Sequence, residues 1–158
     1  MMKRIYACFC TDVIHEGHLN IIREARKYGE VIAGVLSDEA MIRYNRFPII
    51  SFEERKKALE EIPDISKVIV QKDIMYEGVL KELRPDYVIH GDNWKDGPMQ
   101  EIRNNVLENL KLWGGELVEI PYTYSEGVSK IEALMKEKAA MPEYRRKRLR
   151  LLLKLCPI

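Results

Sequence analysis

An alternation constrains this chain more than any other feature. Short apolar runs of strand length take turns with segments whose apolar residues recur at helical spacing. The first run is Ile5-Tyr6-Ala7, and after it Leu19, Ile22, Ala25 and Arg26 mark a helix reaching Tyr28. Further runs lie at Val31 to Leu36, Lys67 to Val70, Asp86 to His90 and Glu116 to Ile120. Helix patterns separate them at Ser51 to about Ile62, Tyr76 to Leu83 and Gly97 to Trp113, and one more runs from Gly127 to about Lys138. Val31 to Leu36 is apolar without interruption, as in a strand covered on both faces. Repeated strand–helix units imply an α/β fold: a Rossmann-like open parallel sheet of five strands, helices on both faces, with right-handed crossovers.

Local signals agree. Ser51-Phe52-Glu53-Glu54 is a capping box, and Ser37-Asp38 offers another N-cap. Gly29 and Gly114-Gly115 stop helices, as does Arg84-Pro85. A length of 158 residues suits one domain with an appendage, divided here as residues 1–140 and 141–158. The tail from Met141-Pro142 is basic. Pro142 fits the first turn of a helix, Leu149, Leu152 and Leu153 share one face, and Arg145, Arg146 and Arg148 should stay wet. It reads as a C-terminal helix or a linker.

A net charge of +1 argues against a general nucleic-acid binder but permits local anion sites. No apolar run reaches the ~20 residues of a membrane span. Met1-Met2-Lys3-Arg4 passes straight into a strand, so no signal peptide is expected. Cys8 and Cys10 stand two apart on one strand, a poor disulfide geometry, and Cys156 is far away. Reduced thiols and a cytoplasmic location follow as expectations.

Parallel sheets bind ligands beyond the C-terminal ends of their strands. The first strand ends at Cys10-Thr11-Asp12-Val13-Ile14-His15-Glu16-Gly17-His18. There a strand hands over to a helix, whose free N–H groups and positive dipole end attract an anion. Gly17 admits a ligand close to the backbone. His15 and His18 can reach the same phosphate. A metal reading would need a third ligand, and His90 is the only other histidine. The fourth strand ends at Gly91-Asp92-Asn93-Trp94. Asp92 can accept a hydrogen bond from an exocyclic amino group or hold a metal, and Trp94 can supply a flat apolar face. The fifth ends near Tyr124-Ser125-Glu126-Gly127-Val128-Ser129-Lys130.

His15-Glu16-Gly17-His18 after a strand resembles the HxGH signature of the nucleotidyltransferase superfamily, and the stretch from Thr11 resembles its cytidylyltransferase branch. Gly91-Asp92-Asn93-Trp94 is similar to that branch's Gly-Asp-x-Trp, and Tyr124 to Ile131 to its closing motif, Arg-Thr-x-Gly-Ile-Ser-Thr-Thr. The resemblance covers roughly residues 4 to 132. It implies catalytic roles for His15, His18, Arg46 and Lys130. It implies nucleotide contacts from Cys10, Thr11, Gly17, His18, Gly91, Asp92, Trp94, Ser125, Gly127, Val128 and Ser129, with Asp92 reading cytosine. It also implies Mg²⁺, with Asp12 as a ligand, and matches Arg55 to a family arginine. In the loop where many relatives carry a catalytic lysine, Arg43 or Arg46 would have to serve, and Arg46 is preferred. Two departures are plain: Tyr124 replaces the motif's arginine, and Lys130 and Ile131 replace its threonines.

Within the branch the chain resembles cytidylyltransferase domains of phosphonate metabolism, which can be fused ahead of a phosphoenolpyruvate mutase domain. His90 to Lys95, Tyr124 and the tail from Pro142 to Arg146 carry that likeness. The implied reaction takes CTP and a phosphonate such as 2-aminoethylphosphonate, or a phosphomonoester, to a CMP-linked product and pyrophosphate, in a homodimer. Alternatives stay open: glycerol-phosphate or choline-phosphate acceptors, adenylyl transfer, or a catalytically weak domain that binds nucleotide and oligomerises.

Overall fold

The computed structural model describes every residue except Met1, Thr11, Asn45, Phe47, Tyr124 and 156–158, and omits the side chains of Leu152 and Leu155. In chain order the elements are β1 (Arg4–Phe9), α1 (Glu16–Arg26), β2 (Glu30–Leu36), α2 (Asp38–Arg43), α3 (Phe52–Glu60), β3 (Ile65–Gln71), α4 (Glu77–Leu83), β4 (Tyr87–Gly91), α5 (Gln100–Lys111), β5 (Glu116–Ile120), α6 (Glu126–Ala140) and α7 (Pro142–Leu155). A 3₁₀ turn, Gly97–Met99, leads into α5. The five strands are all parallel, in the order β3-β2-β1-β4-β5. Winding proceeds outward from β1 to β3, then returns to β4 on the other side of β1. The switch point therefore lies between β1 and β4, where a parallel sheet opens a crevice.

Alternation along β1 builds two layers. Ile5, Ala7 and Phe9 pack with Ile22 and Ala25 of α1 and Leu59 of α3. Tyr6 faces the opposite side and joins Leu80 of α4, Trp94, and Ile102, Val106 and Leu110 of α5. Tyr6 crosses the neighbouring strand to donate its hydroxyl to Gln71 Oε1 at 2.7 Å. Gly34 of β2 makes room: a Cβ there would sit 1.9 Å from that hydroxyl.

Ser37 Oγ accepts from Ala40 N–H at 3.1 Å and Ser51 Oγ from Glu54 N–H at 3.3 Å, so both serine N-caps form. Arg55, which the resemblance matches to a family arginine, has a structural place here. It is buried, donating to the Leu36 carbonyl at 2.7 Å, the Ile50 carbonyl at 3.1 Å and Asp38 Oδ1 at 2.6 Å. It ties the end of β2 to the start of α3.

The tail corrects an expectation. Leu149 and Leu153 are exposed, while Tyr144, Arg148 and Leu151 are half-buried. Arg148 donates through Nε and Nη2 to the Ile42 carbonyl at 3.2 and 3.0 Å. A cation thus meets the C-terminal carbonyls of α2, and α7 turns that face inward rather than Leu149 and Leu153. No helix among the described residues is long and apolar enough to cross a membrane.

Candidate active site

His15 is the N-cap of α1, and His18 stands three residues on. Gly17 N–H donates to His15 Nδ1 at 3.0 Å, and His15 N–H donates to His18 Nδ1 at 3.1 Å. Each Nδ1 is therefore an acceptor, and in the neutral ring the proton resides on Nε2. Two imidazoles with ring centroids 3.9 Å apart are locked into one tautomer, each keeping an Nε2–H to donate. Gly17 has a steric reason: a Cβ there would lie 2.8 Å from His15 Cε1. Burial, with the neighbouring His15 second, lowers the pKa of His18 to about 4, so it is neutral at pH 7.

These histidines line a cleft at the switch point. β1 brings Phe9 and Cys10, β4 brings His90 and Gly91, the turn beyond it brings Asn93, and the segment after β5 brings Tyr122 and Thr123. Arg46 reaches the cleft from the loop before α3, anchored by one Nη1 bond to the Cys10 carbonyl at 3.2 Å. Among the described residues this is the one hydrogen bond of its side chain, and a guanidinium has five N–H donors.

His90 Nδ1 lies 2.7 Å from the Gly91 carbonyl, which can only accept. The proton is thus on Nδ1, and Nε2 is an acceptor. The ring stacks on Trp94 at 3.6 Å with an interplanar angle of 5°. Burial lowers its pKa, keeping it neutral. The cleft therefore offers two distal N–H donors from one wall and one imidazole acceptor from another.

Several residues assigned from sequence stand outside the lining of the cleft. Trp94 presents no face to a ligand: it is fully buried, and its indole N–H donates to Glu119 Oε2 at 2.8 Å. It supports His90 from behind. Asp12 Oδ1 accepts from Ile49 and Ile50 N–H, each at 2.8 Å, and so shapes the loop before α3. Among the described residues, no cluster of three or more His, Cys, Asp or Glu side chains could hold a metal. Lys130 is 72% exposed in its side chain, paired with Glu126 at 3.1 Å, and does not line the cleft. Asp92 is at the rim, its Oδ1 accepting from Tyr122 N–H at 2.9 Å, and it too is outside the lining.

Ser125 caps α6, accepting from Val128 N–H at 3.4 Å. Gly127, Val128 and Ser129 follow in that first turn, beside the cleft rather than in its wall. Thr11 and Tyr124 fall outside the described residues. The residues brought together are His15, Gly17, His18, Cys10, Arg46 and Gly91. His90, Asn93, Tyr122, Thr123 and Glu132 join them without having been assigned from sequence. For the first four the signal was their place just at or beyond strand ends; Glu132 carried none.

A family model for cytidylyltransferase-like proteins matches residues 7–145. The chain belongs to the cytidylyltransferase-like family. Curated relatives include the bifunctional protein HldE of Desulfatibacillum aliphaticivorans, 30% identical over 115 residues that cover 71% of this chain and 22% of that protein. The FAD synthase of Archaeoglobus fulgidus is 32% identical over 61% of this chain and 72% of its own length. The ethanolamine-phosphate cytidylyltransferase of Arabidopsis thaliana is 33% identical over 57% of this chain and 23% of its length. This chain thus spans about a fifth to a quarter of two of these relatives. Among solved structures, a lipopolysaccharide core biosynthesis protein from Thermoplasma volcanium superposes with a TM-score of 0.67 at 20% identity, over 78% of this chain and all of that one. At that identity the likeness establishes the fold.

For this cytidylyltransferase-like chain, His18 sets an acid limit. Unfolded, its imidazole titrates near 6.5; folded, near 4. Between those values the unfolded chain binds more protons, so stability is lost as pH falls through that window. The full contribution approaches ~1.4 kcal/mol per pH unit. Urea midpoints at pH 7.5 and pH 5 should show the drop, and His18→Asn should flatten it. An unchanged slope in the variant would mean His18 is not buried in neutral form.

Proposed function

We propose that the protein transfers CMP from CTP to a small phosphonate, such as 2-aminoethylphosphonate, or to a phosphomonoester, releasing pyrophosphate. The carrying observation is the locked histidine pair, two Nε2–H donors at a helix N-terminus in the switch-point cleft. An acceptor phosphonate or phosphate oxygen is ionised near pH 7 and needs no strong general base. It would attack the α-phosphorus, forming a P–O bond as the bond to the bridging oxygen of the β-phosphate breaks. Catalysis then rests on positioning and on charge neutralisation. His15 and His18 donate to the oxygens where charge develops, and Arg46 neutralises the triphosphate. Among the described residues, no cluster of three or more His, Cys, Asp or Glu side chains could hold the ion. Mg²⁺ is proposed to arrive on the nucleotide, because it keeps its waters and prefers phosphate oxygens.

The cytosine preference rests on the likeness around Gly91 and Asp92. The homodimer, and an associated or fused phosphoenolpyruvate mutase domain, rest on resemblance alone and belong to the same proposal. One observation favours a second reading, a domain that binds nucleotide with little turnover: Lys130 is turned to Glu126, and the first turn of α6 stands beside the cleft.

The test is pyrophosphate release with each of four nucleoside triphosphates against phosphonates, phosphoethanolamine, glycerol phosphate, a sugar phosphate and FMN. CTP with a small phosphonate or phosphomonoester should give the highest kcat/KM. Asp92→Ala should narrow the gap between CTP and ATP. Equal use of ATP would defeat the cytosine assignment, and no release with any pair would favour the second reading.

A further inference from the structure

We propose that Arg148 is a positioning residue for the nucleotide site. From α7 it fixes the end of α2, and through that end the loop that carries Arg46 into the cleft. This deepens the proposed function and rests on its assignment of Arg46 to the triphosphate.

The inference starts from the way α2 ends. The last carbonyls of a helix have no partner within it. In α2 three successive carbonyls are taken by groups from further along the chain. The Ala40 carbonyl accepts from Tyr44 N–H at 3.0 Å, and the Met41 carbonyl from Arg46 N–H at 2.8 Å. The Ile42 carbonyl accepts from Arg148 Nε at 3.2 Å and from Nη2 at 3.0 Å. Adjacent peptide units therefore hold the backbone of Arg46 and the guanidinium of Arg148.

The aim of Arg46 depends on that end. Its N–H is tied to Met41, and its Cζ lies 5.9 Å from the centre of the ring of Tyr44, the C-cap residue of α2. Its Nη1 is tied to the Cys10 carbonyl at 3.2 Å. Cys10 packs against the cluster of Leu36, Ala40 and Met41, so this anchor also leans on α2. At six residues α2 is too short to keep its shape by its own hydrogen bonds. The buried cluster holds it from within, and Arg148 holds its carbonyl end from α7, 106 residues away. A shift of the Ile42 peptide is passed to the Met41 peptide beside it, and so to Arg46.

The experiment is calorimetric titration of the full chain with CTP and with ATP in the presence of Mg²⁺. It compares wild type, Arg46→Gln, Arg148→Met and the double variant. Arg148→Met keeps an unbranched apolar stem and removes the donors. Arg46→Gln should raise the Kd of the better-bound nucleotide by about ten- to a hundredfold, as for loss of a charged hydrogen bond. Arg148→Met should raise it by about three- to tenfold, the scale for a residue acting through packed neighbours. The double variant should bind no more weakly than Arg46→Gln alone, because the two residues act in series. Arg148→Lys should recover part of the affinity. In turnover the loss should fall on the KM for the nucleotide and leave the KM for the acceptor unmoved. Melting curves check that each variant folds; if Arg148→Met does not, Arg148→Lys carries the same comparison.

The role is overturned if Arg148→Met binds nucleotide like wild type. It is also overturned if its loss multiplies with that of Arg46→Gln, since Arg148 would then act by another route. An Arg46→Gln protein that binds like wild type, or a wild type that binds neither nucleotide, would remove the assignment of Arg46 and this inference with it. Binding needs no turnover. A wild type that binds nucleotide but releases no pyrophosphate would bring down the transferase reading alone, and the same titrations would still decide the role of Arg148.

Discussion

His18→Ala should lower kcat by about 10²–10³-fold, the cost of removing one donor aimed at developing charge. Two functions are lost together, because His18 Nδ1 also accepts His15 N–H. Losing a cap of this kind costs about 1 kcal/mol of stability. His18→Asn separates the two. Its side-chain oxygen can still accept the N–H of His15, but it has no donor at the Nε2 position. Stability should recover toward wild type while kcat stays low. The loss belongs in kcat, since the donor acts on charge that develops during transfer. A His18→Asn enzyme that turns over like wild type would place catalysis elsewhere.

Trp94→Ala should destabilise the protein by about 3–5 kcal/mol, the usual range for emptying a buried aromatic site. A domain of this size has roughly 5–15 kcal/mol in all. Trp94 is fully enclosed among Tyr76, His90 and the α5 side of the sheet. Its removal also takes a hydrogen bond from Glu119, which Arg103 holds by two further bonds at 2.8 and 3.1 Å. Arg103, foremost, keeps that carboxyl below its ordinary pKa. Trp94→Phe should cost less, because most of the volume stays. Urea denaturation measures both. A Trp94→Ala protein within 1 kcal/mol of wild type, by the ~1.4 kcal/mol per tenfold scale, would contradict the support role.

The strand pattern was legible because a strand covered on both faces must be apolar throughout, as in β2. β3 was read too short for the same reason. It is an edge strand, and the polar Ser66 and Gln71 at its two ends carry no apolar signal. Arg148 was read as wet because a hydrophobic pattern does not show what a cation will meet. It reaches the carbonyl end of α2, a partner 106 residues away.

The sequence by itself determined the histidine pair. Its bonds run from Gly17 N–H to His15 and from His15 N–H to His18, across two and three residues, so spacing and a helix start suffice to set both rings and their tautomers. Only the tertiary structure decided what stands opposite them. Trp94 could have faced a ligand or a core, and the packing of α5 put it in the core. Lys130 and Glu132 are both exposed and two positions apart on α6, yet of the two only Glu132 is among the residues that line the cleft. Which way a side chain points depends on where its helix lies against strands a hundred residues earlier. That placement follows from the strand order, with β1 joined to both β2 and β4, and no local spacing encodes it.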